Sequence, residues 1–347
     1  MALMAAAVAS LTYGLIGARG SVPGTPTALA SGGPGAAMSD VDVSSAMTAL
    51  RPEGTVLAVT ADAGSEDGEP SPFRDELLET PMLTHPDFIS EVRRWVRFWE
   101  TAPARWFPDY LERMTWFEEI VDTTLAAHDL PWSLRYLPVI ESGYSPTAVS
   151  SAQAVGMWQF MAHTAGDFDI EVGRLVDDRR DPYISTAAAA DFLQRLRADF
   201  GSWFLALAAY NAGPDRIRRI IERHAPDAER SDALYWAIRP FLPKETADFV
   251  PNLFGAIIVA SDPEAHGYER PEPLPFAFDE VQVRGRMTFE AAALATGATA
   301  GEIARLNPEY LQGATPGDRV VTVRVPPGRA EAFRAYFARA DGAGPDR

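Results

Sequence analysis

One glutamate in this chain stands where a side chain could work as an acid. In the stretch LPWSLRYLPVIESGYSP, Leu134, Leu137 and Ile140, with Val139 beside them, give an apolar face that ends at Glu141. Gly143 follows and suits a helix stop, because glycine takes up the left-handed backbone without strain. Pro138, inside that run, is expected to bend the helix, since its ring displaces one backbone bond. A carboxyl at such a helix end, if it faces a cleft, is pushed towards its neutral form by burial and by the helix dipole. Each tenfold change in acidity is about 1.4 kcal/mol, so a hundredfold change needs about 3 kcal/mol, within reach of an apolar pocket. A carboxylic acid kept protonated near neutrality can hand its proton to a leaving oxygen. Position alone favours a solvated glutamate at a helix end, as most glutamates are.

Other chemistries are thinly supplied. The chain has no cysteine, which excludes disulfides, thiolate metal sites, a cysteine nucleophile and lipid attachment through an N-terminal cysteine. His85, His128, His163, His224 and His266 are far apart, and no pair has ligand-motif spacing, so no metal and no cofactor are expected. Asp177, Asp178 and Asp181 are the nearest further acids. They sit in a D-D-R-R-D-P segment where Arg179 and Arg180 can pair with them and Asp181 can cap a helix, which favours a structural role. Net charge is −17 and Lys244 is the sole lysine among 347 residues, so a nucleic-acid backbone would be repelled.

The elements that must position Glu141 are helical. Residues 1–75 read as an apolar leader, with a small-residue site at Ala28-Leu29-Ala30, followed by a Gly/Pro/Ser/Asp-rich linker without sustained apolar period. Structure is expected from near Thr84. Phe88, Val92, Trp95 and Trp99 recur at helical steps, as do Leu111, Met114, Phe117 and Val121. Asp181 can cap a helix with Pro182 in its first turn, Gly201 can stop it, and further helices run through WFLALAAYN, DRIRRIIERH and ETADFVPNLFGAIIVAS. This predicts an all-α domain over 76–268. Past the Pro-rich hinge ERPEPLP, VQVRG and RVVTVRVPP alternate like strands around two short helices, a β-α-α-β module over 276–335.

The blocks E-S-G-Y-S-P at 141–146, S-S-A-Q-A-V-G-M-W-Q at 150–159 and A-Y-N-A-G at 209–213 resemble, in order and spacing, the signatures of the lytic transglycosylases. VDDRRDPYIS resembles that family's D-x-R-x-D-P segment, and LPKETADFVPN the E-T-x-x-Y-V-P segment of its membrane-bound D subgroup, with Phe249 in place of tyrosine. The resemblance covers roughly residues 85–265. It implies a lysozyme-like helical catalytic domain that cuts the MurNAc-GlcNAc β-1,4 bond of peptidoglycan glycan strands, forming 1,6-anhydro-MurNAc. Glu141 is then the single acid/base, with Ser150, Gln159, Tyr210, Asn211 and Glu245 as substrate-binding residues. Read from the residues alone, Gln159 could equally tie loops together, Asn211 could take a left-handed cap, and Gly156 could let substrate approach closely. A lysozyme-type hydrolase and a non-catalytic wall-binding protein are the competing readings.

Residues 279–327 resemble a LysM peptidoglycan-binding module, best at Leu306-Asn307-Pro308 and Pro316-Gly317, with Gly285-Arg286-Met287-Thr288 departing from the usual start. The expected whole is a mainly α, monomeric, exported protein of the cell envelope or periplasm. Association with a membrane would run through the N-terminal apolar segment.

Overall fold

The computed structural model describes residues 75–102 and 105–342. The leader and nearly all of the linker expected over 1–75 lie outside them. The first helix, α1 (Pro86–Thr101), carries Pro86 in its first turn and buries Phe88, Val92, Val96 and Trp99 on one face. The second, α2 (Phe107–Ala127), buries Leu111, Met114, Phe117 and Val121. Order begins earlier than Thr84. Asp75 accepts from the backbone of Leu77 and from Ser133, both amide (2.8 Å) and hydroxyl (2.9 Å), while Leu77, Leu78, Met82 and Leu83 join the core. A pair of leucines without helical period gave no sequence signal for this.

A 3-10 turn at Trp132–Tyr136 leads into α3 (Leu137–Ser142), which carries Glu141. The expected bend at Pro138 is absent. Pro138 lies in the first turn of α3, where a missing amide leaves no bond broken. After the short α4 (Ala162–Gly166) comes α5 (Pro182–Phe200), capped by Asp181 and closed by Gly201 in the left-handed region. Next, α6 (Trp203–Ala212) has all ten residues buried, which makes it the central helix of the domain. Around it pack α5, α7 (Pro214–His224), α8 (Asp232–Ile238) and α9 (Lys244–Ser261). Against α9 lies α1, and the two approach closely at Gly255, where a Cβ would fall 2.7 Å from that of Trp95. Phe88, Phe204 and Phe254 meet between them at ring separations of 5.3–5.6 Å, tilted or edge-on, an arrangement aromatic rings favour.

The C-terminal module pairs β1 (Asp279–Arg284) with β2 (Val320–Val325) antiparallel, Val281 opposite Val323. Between them run α10 (Phe289–Thr296) and α11 (Ala300–Leu306), the latter opened by a Thr299–Glu302 capping box. A further helix, α12 (Ala330–Gly342), packs on β1 and α10 through a buried Phe333 and was not foreseen. The stretch read as a hinge is tied down: Leu274 donates to Thr115 and Phe276 to the carbonyl of Trp116. The described residues are mainly helical with one two-stranded sheet, which agrees with the fold class expected from sequence. Among the described residues, no helix is long and apolar enough to cross a membrane.

Candidate active site

Glu141 occupies the last turn of α3 and is fully buried. Among the described residues neither of its carboxyl oxygens has a hydrogen-bond partner. Burial, reinforced by the negative charge of Glu245, holds this carboxyl well above the usual carboxylate range. An ionised group in that position would be costly to bury, whereas the neutral acid is far cheaper.

The backbone behind Glu141 is clamped from two sides. Gly143 takes φ 59° at the helix C-cap, and a Cβ there would lie 2.3 Å from the Tyr110 ring. Its carbonyl accepts from Arg113 Nε at 2.8 Å. On the other side Ser142 Oγ donates to the carbonyl of Met157 at 2.8 Å and accepts from the amide of Ser145. Neither Ser142 nor Arg113 was singled out from sequence. Ser142 lies inside the E-S block, so the signal was present, whereas nothing in the sequence marks Arg113.

The loop carrying Ser150 and Gln159 folds back on itself, with Val155 bridged to Phe160. Ser150 Oγ accepts from the amide of Ala154 at 3.0 Å, a bond that shapes the loop. Gln159 is fully buried at φ 52°; its Nε2 donates to the carbonyl of Gly156 at 2.8 Å, and its Oε1 is buried without a hydrogen bond. Gly156, at φ 89°, owes its place to protein backbone. A Cβ there would fall 1.9 Å from the carbonyl oxygen of Arg179, so the close approach read from sequence is made by the chain itself.

At the far end of α6, Tyr210 donates its hydroxyl to the carbonyl of Trp158 at 2.8 Å. Burial first, and then the neighbouring Glu141, raise that phenol well above its ordinary range. Asn211 is helical and takes no left-handed cap, because Gly213 ends the helix instead. Its Oδ1 accepts from Thr246 at 2.7 Å and its Nδ2 donates to Glu245 Oε1 at 3.3 Å, so α6 orients the first turn of α9. The structure thus gathers Glu141, Tyr210, Asn211 and Glu245 at one place and brings the Gln159 loop to it through Tyr210. Ser150 serves that loop from within.

Two of the three D-D-R-R-D-P acids are occupied elsewhere. Asp177 binds Arg179 through both oxygens at 2.8 and 2.7 Å, and Asp181 caps α5 through the amides of Tyr183 and Ile184. Arg180 departs from the expected pairing: its Nε is buried without a hydrogen bond. No group of three or more His, Asp or Glu side chains among the described residues could hold a metal ion.

Residues 122–232 match the transglycosylase SLT domain family, and residues 277–341 match the LysM-like domain of the lytic transglycosylase MltD. The chain thus carries a transglycosylase SLT domain followed by an MltD-type LysM-like domain. Among its relatives, the membrane-bound lytic murein transglycosylase D of Escherichia coli K12 is 33% identical over 144 residues. That match covers 41% of this chain and 31% of the relative, so the chain spans about a third of that protein's length. The 70 kDa soluble lytic transglycosylase of Escherichia coli shares 26% identity, covering 41% of this chain and 24% of its own, at a TM-score of 0.35. Slt of Pseudomonas aeruginosa shares 21% identity, covering 45% and 25%, also at 0.35. The SLT-matching segment holds Glu141, Ser150, Gln159, Tyr210 and Asn211 and ends before Glu245.

Proposed function

We propose that this chain cleaves the MurNAc-GlcNAc β-1,4 bond of peptidoglycan without water, with Glu141 as the single general acid/base. The observation that carries the reading is a fully buried carboxyl, unpartnered among the described residues and raised by burial, at the end of α3. In the first step the Glu141 carboxyl gives its proton to the bridging oxygen as the C1–O bond breaks. The N-acetyl carbonyl of the same muramic acid supports the cation left at C1. In the second step the Glu141 carboxylate takes the proton of the C6 hydroxyl, and O6 bonds to C1, closing the 1,6-anhydro ring. The attack is intramolecular and carries the advantage of a prepositioned nucleophile.

Gln159 presents the buried Oε1 left over from its loop bond, an acceptor for the acetamido N–H. Tyr210 forms the wall beside Glu141, Ser150 shapes the loop opposite, and Asn211 with Glu245 completes the far side. The substrate is peptidoglycan, in keeping with the family and with the name of the Escherichia coli relative, murein transglycosylase. That relative is described as membrane-bound, which supports a place in the cell envelope for this chain. We extend this to export and to anchoring by the N-terminal apolar segment, with the protein acting as a monomer.

Hydrolysis with water as nucleophile is favoured by one observation, a second carboxylate, Glu245, close enough for its charge to act on Glu141. Product mass separates the two. Purified sacculi digested by the full chain should yield anhydro-muropeptides, lighter by one water than hydrolytic products. Reducing ends throughout would establish the hydrolase instead, and release of neither product would leave a wall-binding protein.

A further inference from the structure

The C-terminal module is bonded to the segment that backs the candidate site. Backbone pairing joins 175–177 to 309–311: the amide of Asp177 donates to Glu309 O at 3.0 Å and that of Leu311 to Leu175 O at 2.9 Å. Val176, between them, is buried in the module's own core with Val281, Ile303 and Val323. Arg324, on β2, then reaches across the junction. Its Nη2 donates to Asp181 Oδ2 at 2.6 Å, and its Nη1 lies 3.6 Å from Glu309 Oε1. The guanidinium also lies 5.3 Å from the rings of both Tyr183 and Phe278. Its side chain is 12% exposed and that of Asp181 3%, so the pair is shielded from solvent screening.

From this junction to Gln159 the path is short and made of close contacts. Asp177 grips Arg179, whose Nη1 donates to the carbonyls of Gln153 (3.2 Å) and Phe160 (3.1 Å), the two sides of the loop. The carbonyl of Arg179 occupies the space that a side chain at 156 would need, and Gly156 in turn holds Gln159. Segment 175–181 therefore cannot shift without moving Gly156–Phe160. The 3-10 turn at Asp178–Arg180 is too short to fix its own position, so partners on its other side must supply that.

We infer that the LysM-like module is a fixed wall of the catalytic framework, with Arg324 as the positioning residue that holds 175–181, and through it the Gly156–Phe160 loop, in place. Arg324 lies outside the SLT-matching segment, so that loop is held in part from beyond it. Its bearing on catalysis rests on the functional reading above; its structural content does not. Arginine suits the role because its planar fork presents one nitrogen to Asp181 and another to Glu309, a geometry that lysine's single nitrogen does not reproduce.

The test uses the full chain with Arg324→Met and Arg324→Lys, read by hydrogen exchange and by kinetics on short soluble glycan strands. In Arg324→Met, exchange across 150–160 and 172–181 should rise about tenfold while α6 stays unchanged. The Lys variant should rise about threefold, and it carries the test alone if the Met variant does not fold. Turnover should fall in the same order, with KM moving less than kcat. Unchanged exchange at 150–160, or an equal rise throughout α6, would overturn the inference, the second by showing only a general loss of stability. If the parent chain itself releases no product, the functional reading fails while the exchange data still decide this one.

Discussion

Tyr210 Oη donates its hydrogen to the carbonyl of Trp158 at 2.8 Å, so a residue of the A-Y-N-A-G block stitches the central helix to the loop before Gln159. The phenol proton is committed to protein. Tyr210→Phe should therefore act mainly through structure, leaving a buried carbonyl unpaired at a cost of about 1–3 kcal/mol. Denaturant unfolding should show that loss, with product formation reduced about tenfold and not abolished. A loss of activity as deep as that of a Glu141 variant would instead put the hydroxyl in the chemistry.

Glu141→Gln should reduce strand cleavage by at least about a thousandfold. Stability should move the other way. A carboxyl whose folded value is raised above its ordinary 4.5 stabilises the fold fully only below that value. That contribution is lost as pH climbs towards and through the folded value. The amide has no charge to bury, so the variant should match the parent at pH 4 and exceed it increasingly above. Thermal unfolding across pH 4–9 checks this, and a parent more stable than the variant at alkaline pH would contradict the buried neutral acid.

Gly156→Ala should be severe for a residue of its size. The added methyl meets the Arg179 carbonyl at 1.9 Å, at a φ of 89° that alanine tolerates poorly. Strain and overpacking together suggest a loss of roughly 2–4 kcal/mol. Gly267→Ala is the control for backbone strain alone, since its φ is 84° and nothing stands within 4 Å of a Cβ there. Equal losses at both positions would show that the contact with Arg179 contributes nothing.

Asp75→Ala should destabilise the helical domain although the residue lies far from the acid in sequence. It removes the acceptor for both the amide and the hydroxyl of a buried Ser133, at a cost of about 2–3 kcal/mol. Ser133 lies in the first part of the turn that leads into α3, so local exchange there should rise first. An unchanged melting temperature would mean that Ser133 finds another partner.

What could be read in advance followed from local punctuation. Gly143, Gly201 and Asp181 mark helix ends by their own backbone preferences, and the helical steps in α1 and α2 name their buried faces. The approximate place of Glu141 was therefore legible, and the alternating valines of β1 and β2 gave the small sheet. Features set by distant partners were not legible. Gly156 looked free for a ligand because the carbonyl that fills its space comes from Arg179. Asn211 looked like a cap because nothing local announces Thr246 and Glu245. The pairing of 175–177 with 309–311 is too brief to leave a period, and Pro138 was misread by one turn because the preceding 3-10 segment looks helical in sequence.

With every side chain of α6 packed, the wall that ends in Tyr210 and Asn211 is as incompressible as any part of the domain. Accommodation of a bulky ligand must then come from the opposite wall, which is built of turns and single bridges. If the site takes glycan strands as proposed, selection among peptide substituents would be written in the exposed turn residues of that wall, Thr147, Val149, Ser151 and Gln153, and hardly at all in the buried run 154–160 or the central helix.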